Sequence, residues 1–238
     1  MTERVFITGD KHGSFGALFG LAEKNDLKDS DILIIAGDAG YVWNEDYIYR
    51  AETLMQIFPG TIAFIDGNHE NFEILNRLEV MDWNGGKVHR IADRVIHLMR
   101  GQIYHIYGKK YFTFGGARSV DKDRRVKGES WWDGEEPDEM EMAEAREILI
   151  KNLDDIDYVI THEAPLFARH LIPRDKPIDD DYHLPQVLEE WYEIIKTGEK
   201  FSKWYFGHMH VDQVINEKLR ALHMDIRSVG DDEYIKWA

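Results

Sequence analysis

Five short polar segments are spaced along this chain, and each carries residue types that bind metal ions: Gly9-Asp10-Lys11-His12-Gly13, Gly37-Asp38, Gly67-Asn68-His69-Glu70, Thr161-His162-Glu163 and Gly207-His208-Met209-His210. Four follow directly on apolar, strand-like runs, at residues 4–8, 31–36, 61–65 and 157–160. The fifth follows a shorter aromatic run, Trp204, Tyr205 and Phe206. In sheet-based folds, ligands collect in the loops after strands. A chain that repeats a strand and then a ligand can bring such loops to one site. The widely separated segments must then meet, which favours a single domain over residues 1–238.

The rest of the pattern agrees with that requirement. A helical face of Phe15, Leu18, Phe19 and Ala22 follows the first strand, and a helix around 46–57 follows the second and ends at Pro59-Gly60. A short helix over 70–78 follows the third. This alternation argues a mostly parallel sheet. Between 86 and 116 the texture changes to short runs split by Arg100-Gly101 and Gly108-Lys109, which reads as an antiparallel meander. A charged loop over 117–137 carries Trp131 and Trp132. Helices are expected over 138–152 and 184–196, the second with Leu184, Val187, Leu188 and Trp191 on one face, around a strand at 157–161. Short strands close the chain after His210.

Composition narrows the partners. The apolar share of 43% is ordinary for a protein with a substantial core. No apolar run is long enough to cross a membrane, and the N-terminus has no signal-peptide layout. Cysteine is absent, so there is neither a disulfide framework nor a thiolate metal site. These three absences fit a cytoplasmic protein. A net charge of −16 opposes nonspecific nucleic-acid binding.

In order and spacing the five segments resemble the calcineurin-like metallophosphoesterase superfamily, whose pattern is Asp-x-His, Gly-Asp, Gly-Asn-His-Glu or Asp, a His after a strand, and Gly-His-x-His. The resemblance runs from Asp10 to His210. It implies an α/β (α+β) four-layer sandwich of two mixed β-sheets flanked by α-helices. It also implies hydrolysis of a small phosphomonoester or phosphodiester by a metal-bridging hydroxide. Two divalent transition-metal ions are implied as cofactors. Oxygen and imidazole donors without thiolate suit Mn, Fe or Zn, with Mn2+ the first expectation. The resemblance gives Asp10, His12 and His210 to one ion and Asn68, His162 and His208 to the other, with Asp38 as the bridge. His69 becomes the catalytic residue that contacts the phosphate or protonates the leaving oxygen. The remaining six histidines, His89, His97, His105, His170, His183 and His223, read as surface or packing residues.

One departure bears on the substrate. Protein Ser/Thr phosphatases of the superfamily extend the second segment to Gly-Asp-x-x-Asp-Arg-Gly. Here Tyr41 and Val42 replace that Asp and Arg. His69 then needs another acid, Glu45 or Asp46, or works as a neutral donor. The phosphate needs another cation, and Arg118, Arg124 and Arg125 are the candidate substrate-binding residues because Arg forks match phosphate oxygens. The loop 117–137 would then cap the site. The plainer reading of this loop is a solvated one, its arginines paired with Glu129, Asp133, Glu135 and Glu136, its Trp pair a packing plug and the acidic run 133–147 an exposed helix face. Alternatives to a small-ester hydrolase are a protein phosphatase, a nuclease and a silent binding protein on the same fold.

Overall fold

The computed structural model describes residues 3–173 and 182–238. Three strands, β1 (Val5–Thr8), β2 (Ile32–Ile35) and β3 (Thr61–Ile65), run parallel and in that order. They are linked by α1 (Gly16–Lys24) and α2 (Tyr47–Ile57). Short β-branched runs with both faces covered are the form of a parallel strand. After α3 (Phe72–Leu75) come β4 (Val80–Trp83), β5 (Gly86–Ala92) and β6 (Val95–Leu98), and β6 joins β3 in parallel. A second sheet begins with β7 (Gln102–Ile106) and β8 (Lys109–Phe114). It continues, after α4 (Glu139–Lys151), with β9 (Tyr158–Thr161) and, after α5 (Leu166–Leu171) and α6 (His183–Ile195), with β10 (Lys203–Phe206). The tail supplies β11 (Gln213–Val214), β12 (Leu219–Ala221) and β13 (Arg227–Ser228). The sheet orders are β13-β1-β2-β3-β6-β5-β4 and β11-β12-β10-β9-β8-β7.

Alternation along the strands sorts the side chains into three apolar layers. Phe6, Leu33, Ile35, Ile62 and Phe64 pack against Leu18, Leu21, Ala51 and Leu54 of α1 and α2. Their neighbours Val5, Ile7, Ile32, Ile34, Ala63 and Ile65 turn the other way and meet Tyr111, Tyr158, Ile160 and Tyr205 of the second sheet. Phe112, Phe114, Val159, Trp204 and Phe206 face Leu149, Leu188 and Trp191 of α4 and α6. Two mixed sheets thus lie face to face between two helical layers, as expected.

The helices follow local signals. Asp138 and Glu141 form a reciprocal capping box at the start of α4. In α6 the buried Leu184, Leu188, Trp191, Tyr192 and Ile195 recur at helical spacing. Several expectations need correction. The helix face of α1 is Ala17, Leu18 and Leu21, and Phe19 is exposed. The helix expected over 70–78 is one turn, and β4 follows it. The meander of 86–116 is two antiparallel pairs in different sheets: β5 with β6 in the first, β7 with β8 in the second. β6 is buried along its whole length and occupies an interior place beside β3. The chain crosses between sheets at Gly101, whose φ of +67° suits glycine. Among the described residues, no helix is long and apolar enough to cross a membrane.

Candidate metal centre

All five polar segments lie just beyond the C-terminal ends of strands: Asp10 after β1, Asp38 after β2, Asn68 after β3, His162 after β9 and His208 after β10. Because β1–β2–β3 and β9–β10 are parallel sets, these ends share an edge within each sheet. The two edges face each other across the middle layer. Backbone bonds join the first two loops, with Lys11 N–H and His12 N–H donating to Asp38 O at 2.9 and 2.8 Å. His208 N–H reaches back to the Asp10 carboxylate at 3.0 and 3.1 Å.

The turns are tight. Asp10, His12, Asp38, His208 and His210 all have positive φ, five of the eight such non-glycine residues described. That backbone region is sparsely populated by residues with a Cβ, and it clusters at functional sites. Gly37 and Gly67 must lack side chains here. A Cβ on Gly37 would overlap the His162 ring, and one on Gly67 would overlap the Asp38 carboxylate.

Donor atoms of Asp10, His12, Asp38 and His210 lie within 4.8 Å of one another. His12 Nε2 faces His210 Nε2 at 3.1 Å, His210 Nε2 is 3.5 Å from Asp10 Oδ1, and His12 Nε2 is 3.8 Å from Asp38 Oδ2. The other Asp38 oxygen, Oδ1, accepts from His69 N–H at 2.8 Å and lies 3.3 Å from His162 Nε2. Asn68 Oδ1 is also 3.3 Å from His162 Nε2. His162 donates Nδ1–H to Ala36 O at 2.8 Å, which turns Nε2 toward these oxygens. His208 stands edge-on to His162 at 5.1 Å, and its Nε2 is 3.6 Å from Glu163 Oε2.

The donor set fits cations. Asp38 and His162 are 1% and 0% exposed, so lone pairs converge where water is scarce. Burial pushes Asp10 up to about 8, with Asp38 adding to it. Burial works against charge on His162, yet Asp38 and Asp10 push it up to about 10. Two buried carboxylates thus stand close together, and a divalent ion held here would offset their charge. Burial lowers His12, His208 and His210, which favours the neutral imidazole that ligates metals.

Behind the site, a buried chain fixes the Asn68 amide. Asn68 Nδ2 donates to Ser119 Oγ at 3.1 Å, Ser119 Oγ–H donates to Glu135 Oε2 at 2.6 Å, and Ser119 N–H donates to Glu135 Oε1 at 3.1 Å. Oδ1 is left to face His162. Glu70 supports the second loop, its buried Oε1 accepting from Ala39 N–H and Gly40 N–H at 2.8 and 3.3 Å. Ser119→Ala should weaken divalent-metal affinity by about 10–100-fold, the usual cost of losing a group that orients a ligand. Titration of Mn2+ into metal-free protein checks this, and an unchanged affinity would remove Ser119 from the site.

A cleft of about 680 Å³ opens on these residues and is lined by Asp38, Asn68, His69, His208 and His210 together with Arg124, Arg125 and Arg169. His69 lies 4.0 Å from Asp38 Oδ2 and edge-on to His12 at 5.0 Å. Arg125 Nη1 and Nη2 lie 3.1 and 3.2 Å from its two ring nitrogens. Among the described residues Glu45 and Asp46 are not its partners: Glu45 faces Arg77, and His69 turns to Asp38 and Arg125. Arg118 is placed elsewhere than the cleft, bonded through Nε to Glu136 at 3.0 Å and lying 4.4 Å over the Tyr182 ring. Tyr41 and Val42 are buried in the core, with Tyr41 O–H donating to Ser14 O. Trp132 is a packing residue, edge-on to Trp43 at 5.1 Å. Glu135 is buried rather than part of an exposed acidic face.

Of the remaining histidines, His89 and His97 stack in the interior, and His97 Nε2 lies 3.1 Å from Asp66 Oδ1. His223 is a neighbour of the site, stacked on His210 at 4.9 Å. Sequence reasoning missed Ser119, Glu135 and Arg169. Ser119 lay inside the segment singled out for its arginines. Glu135 sits in an acidic run that carries no local mark of burial, and Arg169 is a lone charge in a short apolar helix, which by itself marks no site.

Comparison with known proteins places this arrangement. The family model described as calcineurin-like phosphoesterase matches residues 3–212. The protein TT1561 of Thermus thermophilus superposes with a TM-score of 0.50 at 14% identity, over 98% of this chain and 97% of that one. Another crystal structure gives a TM-score of 0.54 at 13% identity over 100% of both chains. At such identities these two likenesses concern the fold alone. No curated protein sequence matches the chain.

Proposed function

The chain belongs to the calcineurin-like phosphoesterase family, and from that premise we propose that it hydrolyses a small phosphate ester with two divalent transition-metal ions, Mn2+ before Fe or Zn. The observation that carries this reading is the cluster of Asp10, His12, Asp38 and His210, continued on the other oxygen of Asp38 by His162 and Asn68. Asp10, His12 and His210 would hold one ion, Asn68, His162 and His208 the other, and Asp38 both. When bound, such ions polarise a phosphate and lower the pKa of water.

The side chains of the chain supply the rest. His69 is held beside Asp38 by its own backbone N–H and faces the cleft, within reach of a leaving oxygen. Arg125 is tied to Asp121 at 2.7 Å and lies over His69, where a guanidinium can meet phosphate oxygens. Arg124 lines the same cleft, exposed. The segment 117–137 therefore acts as a cap through Arg124 and Arg125, while Arg118 braces it against Glu136. A cap with two arginines orients a small ester for in-line attack. The second loop offers no arginine in place of Val42, which argues against a phosphoprotein substrate.

Metal-loaded protein should turn over p-nitrophenyl phosphate or its bis-ester, and chelation should remove that turnover. Re-addition of Mn2+ should restore it. Absence of turnover with Mn, Fe and Zn on a panel of monoesters, cyclic nucleotides and dinucleotides would sink the enzymatic reading and leave a binding protein.

A further inference from the structure

Arg169 is the polar group in the cleft that the chemistry above leaves unused. It sits on α5 and is 4% exposed, and it lines the cleft together with Asn68 and His208. Its closest acid among the described residues is Glu163, with Nη1 3.6 Å from Oε2. That is well beyond the usual length of about 2.7–2.9 Å for a charge-assisted bond. Nε and Nη1 are buried and have no hydrogen-bond partner among the described residues. The guanidinium also lies 5.7 Å from the Tyr182 ring, which shapes its surroundings without accepting a hydrogen bond in the plane of the fork. A buried guanidinium carries a large desolvation cost unless charge and hydrogen bonds compensate it. Buried donors of this kind are paired in folded proteins, by protein, water or ligand.

The rest of the cleft says what such a partner would be. Asp38 is committed to the imidazoles around it, and Asp121 is paired with Arg125. Arg169 stands at Glu163, itself 3.6 Å from His208 Nε2, whereas Arg125 lies against the His69 ring. The two guanidinium groups thus have different neighbours along the same cleft. One guanidinium beside His69 is enough to orient a single phosphate. A second one, buried and with other neighbours, fits a second anionic group.

We propose that Arg169 anchors a second oxyanion of the substrate, so that the cleft takes a phosphate ester bearing another phosphate or a carboxylate. This rests on the phosphoesterase reading and specifies its substrate class. Arg124 lines the same cleft from the cap.

The test uses the metal-loaded full chain and calorimetric binding, with metal content measured before and after. The probes are inorganic phosphate, pyrophosphate and phosphonoacetate. Wild type should bind one or both of the two-headed anions more tightly than phosphate, and the better of them tells phosphate from carboxylate. Arg169→Gln should weaken the two-headed anions by about tenfold or more, the loss of a charge-assisted bond, and leave phosphate nearly unchanged. Arg169→Lys should recover part of the loss, because it keeps the charge beside Glu163 without the fork. Equal losses for all three anions, or none, would overturn the proposal and make Arg169 a brace for Glu163 and His208. Should Arg169→Gln fail to fold or lose metal, the Arg169→Lys ratio decides: an unchanged preference for two-headed anions overturns it. If wild type binds no phosphate and turns over no ester, the phosphoesterase reading itself has failed, which is a separate result.

Discussion

Asp38→Asn should lower turnover by about 10³-fold or more and remove at least one of two bound ions, since metal charge stabilisation supplies several kcal/mol to such reactions. Asp38 offers its two oxygens to different imidazoles, Oδ1 toward His162 and Oδ2 toward His12. Burial opposes its charge, but His162, His69 and His12 hold it well below the usual carboxylate range. The surrounding imidazoles thus favour its ionised form. The amide keeps the shape and loses the charge. One end of it becomes a donor pointing at an imidazole lone pair, so the imidazoles can be satisfied without an ion. Elemental analysis of metal-loaded wild type and variant reads this directly. Two full equivalents of metal in the variant would show that Asp38 is not the bridge.

His69→Ala should separate chemistry from metal binding. Its ring contacts Arg125, Asp38 and His12, but its backbone, not its ring, makes the short bond to Asp38. Alanine preserves that backbone bond. Metal content should stay at the wild-type value while kcat falls by about 10²–10⁴-fold, the range for a general acid or base. Loss of both ions in this variant would make His69 a ligand and reverse its role. A kcat within a factor of about two of wild type would leave the leaving-group proton to water.

How much of this was legible in the residues differs by length scale. Four of the five ligand segments were legible because a glycine follows on an apolar strand, a local pattern that also fixes which strand end each occupies; His162 has only its strand. The face-to-face sheets came from the resemblance. Their contents became visible only where Val5 and Ile7 part from Phe6. The hairpin around Gly108 was readable, but not β4 or the change of sheet at Gly101, because β6 pairs with β3, a strand far earlier in the chain. Arg118 shows the same limit in part. It leaves the strand end nearest the site, yet it follows the plainer reading and pairs with Glu136, while the Tyr182 ring that also holds it away cannot be inferred from the spacing. Arg169 was invisible for the opposite reason: an arginine in a short helix looks solvated until the cleft wall is seen.

The meeting of two sheet edges has a consequence for folding as well as for catalysis. His12 and His210 are 198 positions apart in the chain, and one belongs to each sheet. An ion held by both closes nearly the whole polypeptide into a loop, as a long-range disulfide would, in a chain that has no cysteine. It can bind only when β1 and β10 are already docked, so its binding energy counts toward the docked state alone. The centre is then a clasp between the halves. Metal concentration should set the temperature at which they part, and the inter-sheet layer of Ile34, Ile65 and Ile160 becomes, at a distance, part of the metal's affinity.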